Sequence, residues 1–114
     1  LGHWSVWTKT AAELFARARK EAAAGAISDA LLALAAQVTD ANGAFFDAAQ
    51  GFGGCIVGLH EVLRRQGLLE HVAVLEPGRV LTAAQAAEID RVYAAYPHLN
   101  DDAFVRANLD EWLA

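Results

Sequence analysis

Cysteine is scarce in this 114-residue chain: Cys55 stands alone, so no internal disulfide can form, and such usage fits a reducing, cytoplasmic setting. Basic charge is scarce too. Nine Lys and Arg face 14 Asp and Glu, for a net charge of −5. A nucleic-acid partner would need a basic face, so that class is disfavoured. No apolar run approaches the roughly 18 residues of a membrane span, and no basic-then-apolar leader pattern opens the sequence. Fixed-period repeats and low-complexity tails are missing as well. What is abundant is alanine, 26 residues of it, which adds helix propensity more than core volume. The length suits one domain with a moderate core.

The pattern along the chain predicts five helices and one short strand, a mainly α fold. "HWSVW", residues 3–7, reads as a β-strand because tryptophan and valine favour extended backbone. A strand leaves unpaired N–H and C=O groups on both edges, so it needs partners, and this chain offers none. With leucine rather than methionine first, the expectation is the tail of something larger. Thr10-Ala11-Ala12-Glu13 fits a capping box opening a helix to Ala24, with Gly25 as its left-handed stop and Glu13–Arg17 as an i,i+4 ion pair. Ser28 caps the second and longest helix, with Leu31, Leu34, Val38, Ala41 and Phe45 on one stripe, which Leu32, Ala35 and Phe46 widen. Gly43 within it marks a close helix contact. Gly51-Phe52-Gly53-Gly54 breaks the chain before a third helix from Cys55, which Gly67 ends. Pro77-Gly78 is a turn inside a long connection, where Val72–Leu75 is too short to assign as a strand. Thr82-Ala83-Ala84-Gln85 is a second capping box, Pro97 closes that helix, and Asn100 caps the last, with Val105, Leu109 and Trp112 on one face.

Few residues carry a chemical signal. His60, with Arg64 one turn on, suits a solvated charged helix surface better than a catalytic role. His3, His71 and His98 lack H-x-x-x-H spacing with each other or with His60, so no zinc site is expected. Cys55 lies on an apolar stripe and reads as an inert thiol. The glycines at 51, 53 and 54 precede a helix but lack the P-loop Lys-Ser/Thr pair. Asp40, Asp47, Asp101, Asp102 and Asp110 form no pair facing across a cleft, and Asp101-Asp102 suit a helix N-terminus. Lys9 follows the strand directly, yet an imine-forming lysine needs a desolvating pocket that this chain does not obviously build.

The order of these segments resembles one family. "GHWSVWT" is similar to the eighth barrel strand, and residues 10–24 to the eighth barrel helix, of the dihydrodipicolinate synthase / N-acetylneuraminate lyase group of class I aldolases. "AAAGAISDALLALAAQVTDANGAFF", "HEVLRRQGLL" and "RVLTAAQAAEIDRVYAAY" resemble the helices that follow that barrel, so the likeness runs to about Tyr96. Gln50–Gly54 replaces the family's Asn-Pro element, His60 falls near the place of a family lysine, and the last helix extends past the usual end.

The resemblance implies a division at residue 24: a last barrel strand and helix over 1–24, and a C-terminal helical extension over 25–114. The parent would be a cytoplasmic, oligomeric lyase forming a lysine imine with pyruvate-type 2-oxo acids, without metal or other cofactor. Its catalytic lysine and tyrosine would precede this chain, so no catalytic residue is assigned here. Barrel active sites lie at the C-terminal strand ends, which puts Trp7 and Thr8 at the border of the parent's pocket. The partner implied is the rest of the barrel, or another protein chain, pairing with residues 3–7. Neither a nucleic acid nor a membrane is implied. Two alternatives stand beside this reading: an independent helical interaction or oligomerisation module, and a small ligand-binding protein that uses the glycine loop, Cys55 and His60.

Overall fold

A computed structural model describes residues 2–114. Five α-helices carry the fold: α1 (Thr8–Ala23), α2 (Asp29–Phe45), α3 (Cys55–Arg65), α4 (Ala83–Ala95) and α5 (Asp102–Trp112). There is no strand among the described residues.

The opening segment is the main correction. Gly2–Ser5 forms a 3₁₀ turn that runs into α1, so residues 3–7 expose no strand edge for a partner to pair with. His3, Val6 and Trp7 are buried while Trp4 and Ser5 are exposed, a spacing of three and four that belongs to a helix. Trp7 sits at the N-cap of α1 in a left-handed conformation, φ 52°, which costs about 1–2 kcal/mol for a residue with a β-carbon. Burial outweighs that cost. A tryptophan removes about 150–250 Å² from water, or roughly 4–6 kcal/mol at 25 cal/mol/Å². Its ring meets Phe45 and Tyr93 edge-on at centroid distances of 4.8 and 5.1 Å, and its indole N–H donates to Tyr93 Oη at 3.4 Å.

Around Trp7 the core collects Val6, Ala41, Ala44, Phe45, Val62, Ile89, Val92 and Leu99, so α2, α3 and α4 pack as a unit against it. The predicted stripe of α2 holds at Leu31, Ala41 and Phe45, with Leu34 and Val38 half-buried. Leu32 and Ala35 are exposed, so the stripe is narrower than expected. Gly43 has nothing within reach of a side chain there, and the close approach falls instead at Gly58, where a β-carbon would strike the Phe45 carbonyl.

Several helix ends follow their sequence signals. Ser28 Oγ accepts from Leu31 N–H at 3.2 Å, and Thr82 Oγ1 from Gln85 N–H at 3.1 Å. Gly25 and Gly67 supply left-handed stops at φ 75° and 81°. Asp101 holds the N-cap position of α5, while the Asn100 side chain accepts from Asp102 N–H at 3.1 Å. The first capping box is not formed: the N-cap of α1 is Trp7, three residues before Thr10, Thr10 Oγ1 turns to the Asn100 carbonyl, and Glu13 pairs with Lys9 rather than Arg17. Arg17 binds Glu21 instead, which also accepts from Ser28 N–H and ties α1 to the start of α2. α1 itself buries only Ala11. No helix among the described residues is long and apolar enough to cross a membrane.

Candidate functional site

Two breaks in the helical pattern frame a concavity beside α3. After α2 the chain turns through Asp47, held left-handed at φ 53°, and a 3₁₀ turn at Ala48–Gln50, before Gly54 opens α3. The Asp47 carboxylate accepts from Gly54 N–H at 3.1 Å. From α4, Gln85 Nε2 donates to the carbonyls of Gly54 at 2.9 Å and Phe45 at 3.3 Å, so one buried amide clamps the end of α2 to the start of α3. Gln85 Oε1 has no hydrogen-bond partner and rests against Gly54, where a side chain would begin. The second capping box is therefore half-formed: Thr82 caps, but Gln85 reaches across the core instead of back along its own helix.

Beyond this clamp lies a groove of about 700 Å³ between α3 and the connection to α4. Phe52, Ile56, Val57, Val74 and Leu75 give it apolar walls. Cys55, His60, Glu76 and Arg79 add the polar groups. His60 Nδ1 lies 2.6 Å from the Ala73 carbonyl. A carbonyl can only accept, so Nδ1 carries the proton and Nε2 is left for another partner. Arg79 donates from Nε to Glu76 at 2.8 Å and from Nη1 to the Gly53 carbonyl, pinning the connection over the glycine loop. The Pro77-Gly78 turn that sequence predicts lies between these two residues, with Gly78 at φ 83°.

The glycine loop, Cys55 and His60 thus meet at one groove. The other candidates are scattered. Lys9 Nζ is tied to Glu13 at 2.6 Å and lies over the Phe104 ring on the surface. Trp7 is in the core, and Thr8 is exposed with Oγ1 donating to the Trp4 carbonyl at 3.1 Å. His3 Nδ1 pairs with Asn42 Oδ1 at 3.0 Å, and His98 Nε2 with Gln37 Oε1 at 2.7 Å. Asp101 binds Lys9 N–H and Gln66, and Gln66 also reaches Asp102. Asp40 takes both Arg91 and Tyr96, whose hydrogen bonds hold its carboxyl below the ordinary range, with Arg91 the larger influence. No group of three His, Cys, Asp or Glu among the described residues could hold a metal ion.

Sequence reasoning gave Glu61 no role in a site, yet it is, with Asp101, one of two buried acids among the described residues. Arg64 and Arg65 hold its carboxylate at 2.7 and 2.8 Å, and Arg65 continues to Asp90 of α4 at 2.7 Å. Arg64 is the chief cause of its lowered pKa. The spacing E-x-x-R-R was the available signal, since it puts both guanidinium groups one turn beyond the acid. This network braces α3 against α4 and points no free group at a substrate. Comparison of the chain with protein-family models, with curated proteins and with solved structures gives no match.

Proposed function

We propose that this chain is the C-terminal helical part of a lyase resembling dihydrodipicolinate synthase and N-acetylneuraminate lyase, where it serves as scaffold and supplies no catalytic group. The observation that carries the reading is α1. Sixteen residues long, it buries one side chain, Ala11, and leaves Phe15 about half exposed and Leu14 half-buried. An isolated helix of that length is marginal in water, and its stability normally comes from a packed apolar face. The outer helix of a (β/α)8 barrel has such a face, packed on the sheet. On this reading residues 2–7 are the turn leading from the strand into the helix and not the strand itself.

The chemistry implied, an imine between a lysine and a pyruvate-type 2-oxo acid, would sit outside these residues. Lys9 and Lys20 are the two lysines here, and both are exposed. Treatment with pyruvate and borohydride, followed by peptide mass mapping, tests this on the product of the full reading frame containing these residues. The expected adduct falls on a lysine upstream of Leu1, with Lys9 and Lys20 unmodified. An adduct on either of those two, or none anywhere, overturns the reading.

A second reading, an independent helical interaction module, has an observation of its own. The core closes around Trp7 without help from another chain, while Trp4, Phe104, Trp112 and Leu113 stay exposed outside it. Sedimentation of the 114-residue chain separates the two, since a module that associates through these side chains self-associates or binds a partner reversibly at micromolar concentration.

A further inference from the structure

We infer that a second hollow, between the end of α2, the 3₁₀ turn after it and the start of α4, binds a primary ammonium group on a short alkyl chain. The hollow measures about 770 Å³ and shares no lining residue with the groove beside α3. This inference goes beyond the lyase reading and does not rest on it.

The hollow is rich in acceptors and short of donors. Gln85 lines it and is only 3% exposed; its Nε2 serves two carbonyls, while its Oε1 accepts from nothing. A buried amide oxygen without a donor is unfavourable, and an incoming N–H relieves it. The amide cannot simply turn over, because its oxygen would then face the Phe45 and Gly54 carbonyls, which have no hydrogen to give. Asp47 Oδ2 stands beside it: both oxygens come under 3.0 Å from the point a Gly54 β-carbon would occupy. Asp47 accepts from the Gly54 N–H and has no ion pair among the described residues.

Charge then selects a cation. Asp40, Asp47 and Glu88 line the hollow against one base, Arg91. That guanidinium is already divided between Asp40, at 2.8 and 2.9 Å, and Glu88, at 2.9 Å, so nothing offsets Asp47. An ammonium aims its three N–H groups in separate directions, and one can serve Asp47 while another serves Gln85 Oε1. A metal ion is less suited, since no three His, Cys, Asp or Glu among the described residues converge on one point. The small side chains of Ala44, Ala48 and Ala84 wall the rest and leave room for a short alkyl chain.

NMR titration of the 114-residue chain with butylamine, protonated at neutral pH, tests the assignment. Saturable amide shifts are expected at 47–54 and 82–88, and the Gln85 side-chain Cδ resonance should move downfield as Oε1 gains a donor. Tetramethylammonium, equally charged but without an N–H, should bind at least about tenfold more weakly and leave Gln85 Cδ in place. Butan-1-ol, which lacks the charge, should also bind at least about tenfold more weakly. Asp47→Asn keeps an acceptor for the Gly54 N–H and tolerates the left-handed backbone, so it isolates the charge and should weaken butylamine about tenfold. Glu88→Gln, on the exposed rim, should weaken it about two- to threefold. Tetramethylammonium or calcium binding as tightly as butylamine, an unmoved Gln85 Cδ, shifts centred elsewhere, or no saturable binding would overturn the inference. The Gln85 resonance is read without substituting the clamp, so a folding defect cannot imitate the result.

Discussion

Glycine shows how much one hydrogen atom decides. At Gly58 a β-carbon would collide with the Phe45 carbonyl and crowd Gln85 Nε2, so α3 can cross the end of α2 only without a side chain there. At Gly43, in the middle of α2, the same β-carbon meets open space. The expected results are opposite in sign. Gly58→Ala should lose about 2–4 kcal/mol, because backbone must move and the Gln85 clamp breaks. Gly43→Ala should gain about 0.5–1 kcal/mol from helix propensity and the stiffer unfolded chain. Urea unfolding of both variants beside the parent protein measures the difference, and a neutral Gly58→Ala would remove the argument for close approach. Reading the sequence alone put the contact at Gly43, since both glycines sit in apolar helices and nothing local tells which one faces a neighbouring carbonyl.

His3 is the second residue with a sharp consequence. Burial pushes its pKa below the ordinary 6.5, while the Asn42 hydrogen bond and the charge of Asp101 pull the other way and are outweighed. The unfolded chain therefore takes up a proton before the folded one does. Stability is level above about pH 6.5 and falls as the pH drops from there toward the lower folded value. The carboxylates act in a separate window: Glu21, drawn down to about 2 chiefly by the Ser28 backbone N–H, loses its contribution only as the pH falls below about 4.5. Urea midpoints between pH 7 and 5 should decline in the parent protein and stay nearly flat in His3→Gln. An equal decline in both would place the titrating group elsewhere.

At the scale of the element, the opening segment teaches most. Residues 3–7 combine β-favouring side chains with a burial pattern of three and four, and the two signals conflict. Strand alternation would put His3, Ser5 and Trp7 on one side, whereas the pattern that prevails joins His3, Val6 and Trp7. That helical spacing was legible in "HWSVW", but propensity over five residues masked it. The capped starts of α2 and α4, the glycine stops and the Pro77-Gly78 turn were readable because each depends on local backbone chemistry. The groove was not, because it is built by a long-range clamp, Gln85 to Phe45 and Gly54, across 40 and 31 positions. Trp7→Ala should cost about 3–5 kcal/mol and keep the left-handed strain, since alanine still carries a β-carbon. Trp7→Gly removes that strain, so a Gly variant as stable as the Ala variant or more so would identify the φ 52° geometry as a real cost. Thermal unfolding followed by circular dichroism reads both.

For the whole molecule, the question is how evenly stability is distributed. α2 and α4 share the most extensive helix–helix contact and carry Ala41, Phe45, Ile89 and Val92, all fully buried. α1 is bound differently. It is anchored at its start by Lys9 N–H to Asp101 at 2.8 Å and near its end by Arg17, Glu21 and Ser28, with little apolar burial between. Hydrogen bonds within an exposed helix open at little cost, whereas those of core helices open only when the core does. Amide exchange should therefore be on the order of 100-fold faster for residues 14–20 than for residues 41–45 and 89–92. Replacing Glu21 with Gln weakens the second anchor, and the gap should widen while the protection of α2 and α4 changes little. If the lyase reading holds, the same α1 amides slow to the level of the core when the segment is measured within its full reading frame, because the apolar side of α1 then gains the neighbour it lacks. Equal protection of α1 and α2 in the 114-residue chain would mean that α1 is complete without one, and the scaffold argument would lose its footing.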